Sequence, residues 1–158
     1  MKLNEDRNFR IKLEFKKYQI NYFNNCMELF ESNCPSSFAE EERADYIYYL
    51  QNCRDHYLLG FTDNNLISTV GIAIHSSVLA SLRWMMVHSD YHSKGCGRQL
   101  MDYVKNYVAG NGIQKLSIST SQHANNFFEK CGARELNFIN DGWGKGMHKI
   151  DMEISLNN

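Results

Sequence analysis

A glycine-containing loop between a predicted strand and a predicted helix decides the fold, and it reads Val87-His88-Ser89-Asp90-Tyr91-His92-Ser93-Lys94-Gly95-Cys96-Gly97-Arg98. Because Gly95 and Gly97 lack a Cβ atom, the backbone there can turn sharply and direct successive N–H groups toward one anion. The helix that follows contributes its unpaired first-turn N–H groups and the positive end of its dipole. The loop therefore predicts an anion site that would suit a pyrophosphate.

Two basic residues strengthen this prediction. Lys94 and Arg98 bracket the start of the helix, and no acidic residue lies between Asp90 and Asp102. Exposed cations at a helix N-terminus oppose the helix dipole by about 0.3–1 kcal/mol each. Since a bound polyanion would reverse the sign of that interaction, the charge pattern favours a phosphate-bearing ligand.

Hydrophobic periodicity on both sides of the loop predicts a mixed α/β sheet. Alternating or short apolar runs predict strands at 11–18, 57–61, 66–75, 79–87, 115–119, 134–139 and 148–156. Apolar residues three and four apart predict helices that begin near 22, 37, 98 and 122, with Ser37 as the N-cap of the second. The strands at 79–87 and 115–119 must then be a parallel pair joined by a right-handed crossover. Ligands of open α/β sheets bind at the end of the sheet where this loop lies.

Length and composition predict one folded domain. A chain of 158 residues leaves little room for a second core, so residues 1–158 are expected to form a single domain. Lys and Arg number 17 against 18 for Asp and Glu, a balance that predicts neither a nucleic-acid nor a membrane partner. The start of the chain has no apolar run typical of a secretory signal, and the cysteines include no CxxC pair. We therefore expect a cytoplasmic protein without a metal site.

Two motifs resemble those of the GCN5-related N-acetyltransferase (GNAT) superfamily. The loop before the third helix is similar to the acetyl-coenzyme A signature of that family, which is usually summarised as Gln/Arg-x-x-Gly-x-Gly/Ala. A second stretch resembles the closing Ala-x-x-Phe-Tyr-Glu-Lys-x-Gly-Phe helix of the family, and it reads Ala124-Asn125-Asn126-Phe127-Phe128-Glu129-Lys130-Cys131-Gly132-Ala133. The separation of the two motifs and the predicted order of elements are also similar to those of the family.

The resemblance implies a fold and a reaction. It implies a GNAT-like acyl-CoA N-acyltransferase fold of about seven strands and four helices, with acetyl-CoA as the acetyl donor and no metal. The implied reaction moves the acetyl group to a primary amine by direct attack in a ternary complex. The residues that the resemblance places against the cofactor are Met85, Val87, His92, Ser93, Lys94, Gly95, Cys96, Gly97, Arg98, Ser121, Asn125 and Phe128.

The sequence departs from the family where proton transfer is concerned. His92 replaces the usual Gln or Arg, and Phe128 stands where the family often has a tyrosine that protonates the departing thiolate. The strand at 79–87 carries no Glu or Asp, although some relatives carry one there. An ammonium group is mostly protonated at neutral pH, so a base is expected. Histidine titrates in the useful range, which makes His123 and His148 the candidate bases.

The acceptor is expected to be an amine on a small molecule or on a peptide. In this architecture the first two helices and the last hairpin cover the acceptor side of the opening. The candidate acceptor-binding residues are Asn33, Phe38 and Trp143, the last in a glycine-rich stretch at 140–146 that is expected to be a loop. The protein is expected to be a monomer or a homodimer.

Two other classes of protein remain open from the sequence. A catalytically weak module that binds acetyl-CoA as a sensor would explain Phe128 and the missing strand carboxylate. A protein that binds ATP at Gly95 and Gly97 is a further alternative, which the absence of a full GxxxxGK[ST] loop weakens.

Overall fold

The computed structural model describes residues 10–156, which form a seven-stranded mixed sheet with helices on both faces. The strands are β1 (Glu14–Lys17), β2 (His56–Thr62), β3 (Asn65–Ile74), β4 (Leu79–Val87), β5 (Lys115–Thr120), β6 (Arg134–Gly144) and β7 (Met147–Ser155). The helices are α1 (Phe23–Ser32), α2 (Arg43–Gln51), α3 (Cys96–Gly110) and α4 (Asn125–Lys130). Within the described residues, the order of strands and helices confirms the predicted mixed α/β fold.

The sheet opens beside the loop that precedes α3. The strands are adjacent in the order β1-β2-β3-β4-β5-β7-β6, and β4 with β5 is a parallel pair that joins residues 79–81 to residues 115–117. Although β4 continues to Val87 and β5 to Thr120, the described residues form no further pairs between these two strands. The strands therefore diverge toward their carboxyl ends and leave a V-shaped opening.

Helices α3 and α4 cover one face of the sheet. Leu100, Val104 and Val108 lie four residues apart on one face of α3, and all three are buried. They belong to the same core cluster as Leu116 and Ile118 of β5. This packing holds the start of α3 beside the opening.

Helices α1 and α2 cover the other face. Leu29 and Phe30 of α1 and Tyr46 of α2 are buried in one cluster with Leu59 of β2. The rings of Phe30 and Tyr46 stack with their centroids 5.4 Å apart. The segment between α1 and α2 is thereby carried to the rim of the opening, where Phe38 lines it.

The start of α2 differs from the prediction. A 3-10 turn at Glu40–Glu42 precedes α2, and the chain before it is extended at Ala39. The Ala39 N–H donates to the Glu42 carboxylate at 2.8 Å, and the Glu42 N–H donates to the Ala39 carbonyl at 3.0 Å. The predicted N-cap at Ser37 was wrong. The carboxylate of Glu42, inside the first turn, accepts the backbone N–H at the start of the turn instead.

The last hairpin also differs from the prediction. Residues 140–146 were expected to be a loop, but β6 continues through most of them to Gly144, which pairs with Met147 at the turn. The register is irregular between Ile139 and Gly144, so the strand bends before it turns. This bend brings Trp143 to the opening.

Part of the predicted single domain lies outside the described residues, namely residues 1–9 and 157–158. Between residues 10 and 156, the helices are all too short or too polar to cross a bilayer.

Candidate active site

A cavity of about 950 Å³ occupies the opening between β4 and β5. One end is formed by the loop before α3 and by α4, and the other by the segment between α1 and α2 together with the last hairpin. Met85 and Val87 of β4 and Ser119 of β5 line the stretch between the two ends. The cavity can therefore hold an elongated ligand at one end and a second molecule at the other.

The start of α3 presents free amides to one end of this cavity. The first backbone hydrogen bond of the helix runs from the Gln99 N–H to the Gly95 carbonyl at 3.2 Å, so the amides of residues 96–98 have no acceptor within the helix. Gly95 has a φ of +82°, a conformation that side-chain-bearing residues rarely adopt. A Cβ atom on Gly97 would lie 3.0 Å from the ring of Phe127. Both glycines are thus favoured by the local geometry, and the amides can bind an anion.

The carbonyl of Val87 ties the loop to α1. The Nε2 atom of His92 donates to this carbonyl at 2.7 Å, and the Nδ2 atom of Asn33 donates to it at 3.0 Å. Asn33 is buried and also donates to the Leu29 carbonyl at 3.1 Å. The side chains of His92 and Asn33 therefore hold the end of β4 in place.

A β-bulge in β4 shapes the middle of the cavity. Thr69 pairs with Met86 but Gly71 pairs with Arg83, so two residues of β4 face one residue of β3. Trp84, inside the bulge, has a φ of +41°, which is unusual for a bulky side chain. The bulge turns the ring of Trp84 into the cavity wall, where it stacks on Phe38 with 5.9 Å between centroids.

The helix α4 closes the cavity opposite β4. Phe128 is buried in the core and its ring also lines the cavity, edge-on to Phe127 with 5.1 Å between centroids. A phenyl ring has no proton to donate, so Phe128 cannot act as an acid. The hydroxyl of Ser121 accepts the His123 N–H at 3.3 Å and thereby stabilises the turn into α4.

Trp143 forms part of the wall at the acceptor end. Its indole N–H donates to the Thr120 carbonyl at 2.8 Å, which fixes the ring at the end of β5. The Nζ atom of Lys149 lies 5.4 Å from the centre of that ring. This end of the cavity therefore combines aromatic surfaces with a cation.

One carboxylate faces the cavity, and sequence analysis did not single it out. Glu42 is 7% exposed and is the one Asp or Glu among the described residues that line the cavity. Burial raises the pKa of Glu42 to about 7; the hydrogen bond from Ala39 opposes this shift, and the nearby charges of Asp45 and Glu41 add to it. The sequence alone does not distinguish Glu42 from Glu40 and Glu41, because the path of the chain in the folded protein determines which of the three is buried.

Most of the residues predicted to bind the cofactor line the cavity: Met85, Val87, His92, Ser93, Gly95, Cys96, Gly97, Arg98, Ser121 and Phe128. Lys94 and Asn125 are not among its described lining residues; Lys94 is exposed and Asn125 begins α4. The three candidate acceptor-binding residues, Asn33, Phe38 and Trp143, all line it.

The two candidate bases lie in different places. His123 is exposed and lines the cavity. His148 is not among the described lining residues: its Nδ1 atom accepts the Asp141 N–H at 3.1 Å, and its ring packs on Phe138 with 5.2 Å between centroids. His148 thus stabilises the last hairpin. No group of three or more His, Cys, Asp or Glu side chains within residues 10–156 is arranged to bind a metal.

Comparison with known proteins identifies the family. Residues 23–133 match the acetyltransferase (GNAT) family. The fold is similar to an aminoglycoside 6'-N-acetyltransferase complexed with coenzyme A (14% identity, TM-score 0.74, covering 92% of this chain and 98% of that chain). It is also similar to the ribosomal-protein-S18-alanine N-acetyltransferase from Escherichia coli (14% identity, TM-score 0.76, covering 93% and 96%). The family match defines an acyltransferase, and the chain belongs to the GNAT family of acetyltransferases, whose donor is acetyl-CoA.

Proposed function

We propose that this protein transfers the acetyl group of acetyl-CoA to a primary amine, by direct attack while both substrates are bound. The observation that carries the proposal is the divergence of β4 from β5 beside the start of α3. This divergence joins an anion-binding end and an aromatic, acidic end in a single cavity. Two substrates can therefore meet there without a covalent enzyme intermediate.

The loop end suits coenzyme A. The amides of residues 92–98 would bind its pyrophosphate, since Gly97 lines the cavity and has no Cβ atom to obstruct a ligand. Arg98 lines the cavity and Lys94 is exposed nearby in the chain, so both add positive charge. The pantetheine arm would run beside Met85 and Val87, which lie on the unpaired part of β4. Ser121, which lines the cavity, would contact the arm from the α4 side, and Asn125 would do so only if its side chain turned toward the cavity.

The other end suits the amine. Phe38 and Trp143 offer flat surfaces on which the acceptor can pack, and aromatic faces attract cations. The side-chain amide of Asn33 is engaged by two carbonyls, so this residue would shape the acceptor end by positioning β4. His123 lines the cavity and is a candidate base; His148, which lies outside it, supports the hairpin.

The chemistry of the departing thiolate follows from Phe128. Because this ring has no proton, water would protonate the sulfur once the carbon–sulfur bond has broken. A coenzyme A thiolate is a stable leaving group near neutral pH, so the lack of a tyrosine reduces the rate without preventing transfer. The family match does not favour the alternative of a sensor without transfer.

The experiment is a thiol-release assay with acetyl-CoA and a panel of amines comprising L-lysine, spermidine, kanamycin and a peptide with an N-terminal alanine. Transfer is expected to release coenzyme A at a rate that depends on the amine, and mass spectrometry should find one added acetyl group on that amine. Binding of acetyl-CoA is measured separately by calorimetry. Tight binding with no amine-dependent thiol release across the panel would contradict the proposal and support a sensor.

A further inference from the structure

We propose that Glu42 is the general base of acetyl transfer, which accepts the proton of the acceptor ammonium at the aromatic end of the cavity. This inference rests on the proposed function and assigns a catalytic residue to it. The candidates that the sequence offers for this role are histidines, so the assignment depends on the tertiary structure.

Glu42 is held in place by one backbone hydrogen bond and lines the cavity. The Ala39 N–H donates to Oε2 at 2.8 Å, and it is the one hydrogen-bond donor to this carboxylate among the described residues. The side chain is nearly buried, yet it forms part of the cavity wall. Oε1 therefore remains available to a proton donor that enters the cavity. A carboxylate buried in this way, with no cation beside it among the described residues, binds a proton more tightly than an exposed one.

Several apolar side chains line the cavity together with Glu42. Phe38 lies four residues before it in the chain and stacks on Trp84, and Met86 of β4 is buried in the cluster against which both rings pack. Such surfaces exclude water, which strengthens the attraction between an ammonium group and a carboxylate. They also favour the neutral amine over the ammonium, so proton transfer to Glu42 becomes easier.

Titratable and charged groups lie around this region on several elements. Asp45 and Glu41 on the same segment and Cys34 after α1 interact with Glu42 electrostatically. The other charged or titratable groups on this side of the cavity wall are His75 after β3, Arg83 on β4, Lys149 on β7 and His123 before α4. Burial raises the pKa of the Cys34 thiol to about 11, so Cys34 stays neutral near pH 7. Burial, with added repulsion from Glu41 and Asp45, raises the pKa of Glu42 to about 7 and makes it a better base than an ordinary glutamate.

The proton and electron balance of the reaction can be written with Glu42 as the base. The acceptor enters as R–NH3⁺ and transfers one proton to the Glu42 carboxylate, which yields R–NH2. The nitrogen lone pair forms the bond to the thioester carbonyl carbon, the carbon–sulfur bond breaks, and its electron pair goes to sulfur. The second proton lost by nitrogen reaches the sulfur through water. Glu42 then releases its proton to solvent, so the net products are the N-acetyl amine, coenzyme A and one proton.

The test compares Glu42→Gln with Glu41→Gln, a neighbouring exposed residue that does not line the cavity. The amine is the fastest acceptor found in the panel above, and rates are measured from pH 6 to pH 9. For Glu42→Gln we expect kcat to fall about 100-fold with the affinity for acetyl-CoA unchanged, and the rise in rate near pH 7 to disappear. Glu41→Gln should keep the wild-type rate within about twofold and keep that rise, moved slightly to lower pH because the repulsion from Glu41 is gone.

A second variant distinguishes loss of the carboxylate from misfolding of the protein. Glu42→Asp keeps a carboxylate and should recover part of the rate that Glu42→Gln loses, with its own rise in rate with pH. The assignment is overturned if Glu42→Gln retains kcat within about twofold and keeps the wild-type pH profile. If His123→Ala loses the rise in rate near pH 7, the general base would be His123 and the assignment to Glu42 would be wrong. A wild-type protein that acetylates none of the amines would instead contradict the proposed function, so the two failures are distinguishable.

Discussion

The hydroxyl of Thr69 donates a hydrogen bond of 2.9 Å to the carbonyl oxygen of Trp84, at the centre of the β4 bulge. The buried hydroxyl of Tyr57 donates to the same oxygen at 3.2 Å. Because the C=O and N–H of a trans peptide point in opposite directions, these bonds turn the Met85 N–H away from Thr69. Two buried hydroxyls therefore set the orientation of the main chain where the pantetheine arm is proposed to run.

Replacement of Thr69 with Val should slow acetyl transfer about fivefold, since a hydrogen bond of this kind contributes about 1 kcal/mol. The bulge would keep the bond from Tyr57 but lose part of its rigidity, so kcat should change more than the KM for acetyl-CoA. Ser68→Ala is the matched control, because Ser68 is also buried on β3 but bonds to the Gly60 carbonyl. Steady-state kinetics of the two variants check this; equal rates would contradict a role for the bulge.

Replacement of Gly97 with Asp should weaken acetyl-CoA binding at least about tenfold, or 1.4 kcal/mol. The new Cβ atom would meet the ring of Phe127 at 3.0 Å, and the carboxylate would repel the diphosphate. Gly110→Asp adds the same side chain at the far end of α3, where a Cβ atom meets nothing within 4 Å. Calorimetry with acetyl-CoA compares them, and unchanged affinity in Gly97→Asp would argue against the proposed cofactor site.

Replacement of Phe128 with Tyr should preserve the fold and leave transfer equal to or up to about tenfold faster than that of the wild type. The added hydroxyl would supply a proton donor for the thiolate at the position where the family often has one. Thermal melting checks the fold, and the pH profile of kcat should show a new decrease toward the pKa of tyrosine, near about 10. A severe loss of rate would show that the ring packs too tightly to accept a hydroxyl.

Replacement of Glu42 with Gln should make the protein more stable at pH 8, by about 2 kcal/mol. The pKa of Glu42 is about 7 in the folded protein and lower in the unfolded chain, so the folded state binds the proton more tightly. The wild-type protein should therefore lose stability as the pH rises from about 4.5 to 7, and the glutamine variant should lack this contribution.

Urea unfolding at pH 5 and pH 8 measures the difference, with Glu41→Gln as the control. A gain in stability that accompanies the loss of activity is typical of a residue retained for function. If Glu42→Gln were equally destabilised at both pH values, Glu42 would be serving the fold instead.

The order of strands and helices could be predicted because it depends on local patterns. The alternation in the strands, the four-residue spacing of Leu100, Val104 and Val108, and the glycines at 95 and 97 each act over a few residues. Boundaries were less accurate where distant contacts decide them. The Glu42 carboxylate replaces the predicted Ser37 cap, and β6 extends to Gly144 because it pairs with β7.

By itself, the sequence determined a mixed sheet with an anion-binding turn at the head of α3, since a missing Cβ atom and a helix dipole act locally. Only the tertiary structure decided which polar groups meet in the opening. It separates His123 from His148, buries Glu42 but not Glu40 or Glu41, and turns Trp84 into the cavity wall. Burial and the raised pKa that follows from it depend on the packing of segments that are far apart in the chain, so no local pattern encodes them.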